Sequence, residues 1–299
     1  MSAEEKRSSA AYPAGSERHL GPFVTQLIER GKDAKMHLRT SRRFRRGLSD
    51  IPLDRKGRIK QKIGELSLLF SIRPDLLSWW IGTLFMIGSA LFVAGSVMQL
   101  YLSEYFSSYI GNLTYFIGSL FFTSAAYGQF LQAINANIAL IPDIRKKQKS
   151  WRWWARGLRS PGFLSAAAQF IGTILFNFNT FDAMHNFHSP AGEHLFVWVP
   201  NMAGSVLFLV SSFFAWIEIY RDDYVKRFIS VTWWVVWFNI VGSVLFQLSA
   251  LYGYINPFTG AVPDGSLSIA LTLWGAICFY FGAHLSNVEL REVKKAKVS

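Results

Sequence analysis

Several things are scarce or missing in this chain, and each absence excludes something. Cys278 is the only cysteine, so neither an intrachain disulfide nor a cysteine metal cluster is available. Charged residues make up 17% of the chain, against roughly 25% in an ordinary soluble domain. There is no His-Glu-x-x-His helix, no Cys-x-x-Cys pair, no Gly-rich phosphate loop and no nucleophile-elbow motif. The familiar signatures of metallohydrolases, redox enzymes, nucleotide-binding proteins and serine hydrolases are therefore missing. No long apolar run precedes Trp79, so the expectation is a retained first span and no cleavable signal peptide.

The distribution of positive charge is equally selective. All 31 Lys and Arg lie before Trp79, between Ile141 and Phe163, between Tyr220 and Val231, or after Leu290. The connections 102–111, 182–194 and 254–266 contain none. A net charge of +12 distributed in this way follows membrane topology. It predicts cytoplasmic termini and two cytoplasmic basic loops, and it argues against nucleic acid as the partner. Arg145-Lys146-Lys147-Gln148-Lys149-Ser150-Trp151-Arg152-Trp153-Trp154 then reads as an interfacial anchor. The expected partners are the bilayer and anionic inner-leaflet lipids, with self-association into a homo-oligomer left open.

What the chain has in abundance is apolar length. Hydrophobic residues are 51% of the total, and six stretches approach the ~20 residues that cross a bilayer core. They lie near 79–101, 112–134, 163–181, 195–217, 231–253 and 267–287. Each carries one copy of a short pattern: Gly, a small residue, two further residues, Phe. The copies start at Gly88, Gly118, Gly172, Gly204, Gly242 and Gly275, and end at Phe92, Phe122, Phe176, Phe208, Phe246 and Phe279. Small or polar residues follow on the same helical face, including Gly95, Asn179, Ser211 and Ser249. In lipid, helices associate by close backbone approach over small residues. The six glycines are thus expected at helix-packing seams; the other reading places the stripes along a central path.

The expected fold class is an all-α membrane protein with six transmembrane helices. These form three repeated hairpins, 79–134, 163–217 and 231–287, within a membrane domain 79–290, with both termini cytoplasmic. Residues 291–299 form a short basic cytoplasmic tail. Gln132, Glu218 and Glu289 each lie fourteen residues after a repeated Gly and fall near the inner surface. There they would cap the inner mouth or pair with nearby Lys and Arg.

Residues 1–78 read as a basic cytoplasmic segment, disordered over 1–19. An amphipathic stripe, Phe23, Leu27, Ile28 and Met36, follows Pro22, which suits a first helical turn. Arg39, Arg42, Arg43, Arg45 and Arg46 form a polybasic cluster suited to a membrane surface. Ile59, Ile63, Leu66 and Phe70 predict an interfacial helix over 57–71.

Ile87-Gly88-Ser89-Ala90-Leu91-Phe92 with Phe116-Ile117-Gly118-Ser119-Leu120-Phe121, and Val241-Gly242-Ser243-Val244-Leu245-Phe246 with its partner helix, carry a family resemblance. The chain resembles the YrhK-like membrane domain family, whose unit is a short two-helix hairpin. The resemblance covers 79–134 and 231–287 best, 163–217 less well, and nothing before Trp79. It implies a fold and brings no reaction or cofactor.

Asp182, His185, His188, Glu193 and His194 cluster in one outer connection. Imidazoles with carboxylates form a zinc-type ligand set, and imidazole also titrates near neutrality. An ordinary polar connector explains them as well. Within the spans, Gln99, Gln129, Gln169, Asn177, Asn179, Asn201, Asn239, Gln247, His284 and Asn287 are polar. Such amides either bond across helices or mark a solute path. The composite expectation is a non-enzymatic membrane scaffold or sensor. The alternative is a channel or transporter for a small solute or ion, and a membrane enzyme using the outer histidines comes third.

Overall fold

The computed structural model describes residues 16–20, 23–30, 36–48, 50–52, 72–140, 151–154, 160–185, 187, 189–220 and 230–292. Its main body is a bundle of six long helices. These are α2 (Leu77–Tyr101), α3 (Ser108–Leu140), α4 (Pro161–Asp182), α6 (Val199–Ile219), α7 (Val231–Tyr252) and α8 (Gly265–Val288). A short α1 (Ser41–Arg45) precedes them, and a one-turn α5 (Pro190–Glu193) leads into α6 through a wide turn at His194–Trp198.

Local chemistry fixes several of the starts. Ser160 accepts from the Phe163 amide and is followed by Pro161, so α4 begins with both a cap and a preset φ. Ser230 caps the Trp233 amide at α7, and Asp264 caps the Leu267 amide at α8.

Five helices are long and apolar enough to cross a membrane: Leu77–Tyr101, Pro161–Asp182, Pro190–Ile219, Val231–Tyr252 and Gly265–Arg291. The sixth expected span, α3, is 33 residues long and carries no charge. Its Asn112, Thr114, Gln129, Gln132 and Asn135 dilute its apolar character. The bundle surface supports the same environment. Ile87, Ile117, Leu120, Ile171, Val206 and Val244 point outward, while Ser89, Ser119, Thr173, Ser205 and Ser243 are wholly buried. Apolar outside and hydroxyl inside is a sensible partition when the solvent is lipid.

The helices pack as a closed ring. The hairpin pairs α2–α3, α4–α6 and α7–α8 make broad contacts, and α3–α4, α6–α7 and α8–α2 join one hairpin to the next. Each hairpin closes on its two motif glycines. A Cβ built on Gly118 would lie 3.1 Å from the Gly88 carbonyl oxygen. The same distance separates a Cβ on Gly172 from the Gly204 oxygen, and one on Gly242 from the Gly275 oxygen. Any side chain there pushes the backbones apart. At these glycines two backbones approach closely, and each such approach lies within a hairpin.

The segment before the bundle differs from expectation. Ser16–Leu20, Phe23–Arg30, Met36–Thr40 and Ile51–Pro52 are strands β1–β4 of an antiparallel sheet in sequential order. Ser16–His19 are therefore part of a strand within the region expected to be disordered. Phe23, Leu27 and Ile28 belong to a strand in place of an amphipathic helix. Ile28 pairs across the ladder with Leu38, and both side chains are buried. The interfacial helix expected over 57–71 lies outside the described residues.

The seam account predicts an asymmetric response to bulk. Gly242→Leu and Gly118→Leu each lower stability in detergent by on the order of 2 kcal/mol, the usual cost of overpacking. Ala90→Leu, two residues beyond Gly88 and exposed, has little effect. Thermal unfolding of the three variants checks this, and equal tolerance contradicts it.

Candidate functional site

The Phe of each motif copy points to the middle of the ring. Phe92, Phe122, Phe176, Phe208, Phe246 and Phe279 are all buried and form one cluster with Ala276. Each hairpin contributes an edge-to-face pair. Ring centroids are 5.4 Å apart for Phe92–Phe122, 5.1 Å for Phe176–Phe208 and 5.1 Å for Phe246–Phe279. Phe246 also lies 5.9 Å from both Phe92 and Phe176, and Phe279 lies 5.7 Å from Phe208 and 6.1 Å from Phe122. Such contacts are favourable for aromatic rings, and the space between these rings has no room for water.

On either side of this layer the bundle opens. Toward the end where the hairpins are joined to one another lies a cavity of about 90 Å³, bounded by Phe208 and Phe279. Gln129, Gln132, Gln169, Asn239, Ser165 and Ser211 are among its walls. Toward the opposite end lies a cavity of about 220 Å³, bounded by Phe92, Phe176 and Phe246 and lined by Gln99, Asn112, Asn179, Asn201 and Ser249. Neither lining includes an Asp or Glu among the described residues.

The far cavity is held open by fixed amides. Gln99 donates to Asn112 at 2.8 Å, and Asn112 donates to the Ala183 carbonyl at 2.6 Å. Asn179 donates to the Val197 carbonyl at 2.8 Å, within the wide turn that leads into α6. Such turns free backbone groups and recur beside functional sites.

The cavity at the other end is closed by α1. Thr40 caps this helix by accepting from the Arg43 amide, and Gly47, at φ 73°, ends it in a conformation that suits glycine. Arg45 donates to Glu218 at 2.6 Å and to the Gly162 carbonyl at 3.3 Å. Ser41 donates to the other Glu218 oxygen at 2.7 Å. Arg42 and Arg46 both reach Glu289 Oε2 at 3.0 Å, and Thr232 donates to Glu289 Oε1. Arg46 donates to the Ser286 carbonyl at 2.6 Å. Ser78 donates to the Arg46 carbonyl at 3.2 Å while Gln132 donates to Ser78 at 2.7 Å. So Glu218 and Glu289 bind arginines of α1 and of its C-terminal cap, and Gln132 reaches the Arg46 carbonyl through Ser78.

Burial strains the charge of this cluster. Arg46 is pushed down to about 10, first by burial, against the pull of Glu289, with Arg42 and Arg45 adding to the depression. Arg45 is lowered as well, mainly by burial and against Glu218. Both remain cationic at neutral pH. Arg42, Arg43, Arg45 and Arg46 thus differ from a headgroup-facing patch: their side chains are enclosed, and three of them bind the bundle's own carboxylates. Arg39 pairs with Asp50 at 3.1 Å. The buried partners are distant in sequence, which is why composition alone points to the surface.

His185 and His194 each bond a backbone carbonyl. His185 donates through Nδ1 to the Phe181 carbonyl at 3.1 Å. His194 donates through Nδ1 to the Ile255 carbonyl at 2.6 Å, between the rings of Trp198 and Tyr254. His188 lies outside the described residues. Asp182 ends α4, and Glu193 ends α5. Among the described residues no three His, Cys, Asp or Glu side chains gather as metal ligands.

No family model, curated protein or solved structure matches the chain. The geometry therefore carries the functional argument.

The clamp has a measurable weight. Breaking a buried ion pair leaves a charge without compensation, at about 3–5 kcal/mol. Glu289→Gln and Glu218→Gln each lower the unfolding temperature in detergent and make the segment before Leu77 more sensitive to protease. Asp75→Asn, in an exposed pair with Arg73, changes neither. Wild-type behaviour of both glutamate variants contradicts the clamp.

Proposed function

We propose that this protein is a multi-pass membrane conduit for a small solute or ion, shut in this state by the phenylalanine layer. The observation that carries the reading is a pair of cavities with amides and hydroxyls in their walls, one bounded by Phe208 and Phe279 and the other by Phe92, Phe176 and Phe246, with the six-ring Phe cluster between them. A hydrophobic constriction between wet vestibules gates by excluding water. The scaffold or sensor role accounts for the packed seams, but it gives no reason to line both sides of the layer with neutral amides and hydroxyls.

In this reading α3 is the sixth span, and its amides are the part of it that lines the path. The three hairpins are repeats about a threefold pseudo-axis along the membrane normal. The Gly–Gly seams and paired Phe rings support that view, and they are the features that resemble the YrhK-like hairpin. The end that carries α1 faces the cytoplasm, since the connections rich in Lys and Arg lie there.

The reading is tested in proteoliposomes by stopped-flow light scattering with urea, glycerol and potassium chloride plus valinomycin. Wild-type protein adds little permeability. Phe246→Ala and Phe279→Ala each open the layer and raise the rate for at least one probe severalfold. Folded variants that leave every rate at that of empty vesicles refute the conduit.

A further inference from the structure

The cavity behind α1 has a charge property that the conduit reading does not use. Three guanidinium groups, Arg42, Arg45 and Arg46, line it, and they share two carboxylates, Glu218 and Glu289. Their side chains are 10%, 8% and 9% exposed. The Nε–H of each is buried without an acceptor among the described residues. A buried charge-capable donor left without a partner is costly, and here three occur within one cluster of arginines. Neutral donors stand in the same lining, including Ser286, Gln129 and Gln169.

We infer that this cavity binds one small monovalent inorganic anion, of the size of chloride or nitrate, on Arg42, Arg45 and Arg46. Among the described residues of this cluster, three cations face two carboxylates, which leaves one positive charge to be balanced and sets the valence. The cavity volume of about 90 Å³ sets the size. A water needs about 10–15 Å³ of such space, so a partly hydrated small anion fits. An organic ligand of ordinary size occupies about 300 Å³ or more and does not. A cation is disfavoured by the three guanidiniums, and the lining offers it no carboxylate.

The site deepens the conduit reading, on which only its transport consequence rests: the path would favour anions at its α1 end. Binding itself requires no transport. It also gives α1 a second role, because the anion would help hold the clamp against the bundle.

The test is equilibrium dialysis of purified full-length protein in detergent against radioactive chloride at pH 7. One chloride per chain is expected, saturable, displaced by nitrate and indifferent to gluconate. Arg46→Gln and Arg42→Gln weaken binding roughly tenfold or more, as expected for a charge-assisted hydrogen bond. Arg73→Gln, exposed and paired with Asp75, binds as wild type does. Arg46→Lys keeps the charge, loses the planar donors and binds with intermediate affinity. Absence of saturable chloride binding to the wild-type protein overturns the proposal, whatever the variants do. Unchanged binding in folded Arg42→Gln and Arg46→Gln places any site elsewhere and overturns it too. Binding without flux in vesicles leaves this site standing and removes the conduit, whereas flux without binding does the reverse.

Discussion

The structure depends on one constraint: helices in lipid gain nothing from hiding apolar surface from one another, so they must meet over almost no side chain. The six motif glycines meet that constraint in three pairs, each with the partner's carbonyl oxygen near the missing Cβ position. Once two backbones approach this closely, the residue four positions on has nowhere to lie except over the partner's glycine and toward the axis. That residue is Phe in every copy. The seam and the central layer are two consequences of a single five-residue pattern.

From the layer outward, the rest of the bundle follows by exclusion. The rings fill the centre where the backbones are closest. Above and below, the helices separate and the facing side chains are amides and hydroxyls. The bundle is thus tight at its waist and polar at both ends. One end is then closed by an element from outside the bundle, α1, through Arg–Glu pairs that burial makes strong and demanding at once. If α1 departs, Glu218 and Glu289 lose their counterions and the arginines lose their enclosure.

Much of this was legible in the residues, because it is periodic. The six Gly-small-x-x-Phe copies marked the helices and their contacts, and the spacing to Gln132, Glu218 and Glu289 marked the end where positive partners would be met. Two things were not legible. The N-terminal sheet was hidden because Phe23, Leu27 and Ile28 fit a helical stripe, and only the cross-strand pairing of Ile28 with Leu38 reveals the strand. The destination of Arg42, Arg45 and Arg46 was hidden because their carboxylates lie far along the chain: Arg45 and Glu218 are 173 residues apart. A cluster of arginines ahead of a span looks like a membrane-surface patch until the fold places acids against it.

The central claim is that the phenylalanine layer divides two chambers that lie toward opposite sides of the membrane, one of them closed by α1. The most direct measurement is side-specific thiol labelling in a Cys278→Ser background, with single cysteines at Asn201 in the far cavity and Gln129 in the cavity behind α1. In intact cells, a small membrane-impermeant thiosulfonate should modify Asn201→Cys and leave Gln129→Cys untouched; in inverted vesicles Asn201→Cys should stay untouched and Gln129→Cys should react once Glu289→Gln loosens α1. Reaction of both cysteines from the same side, or of neither from any side, would contradict the account.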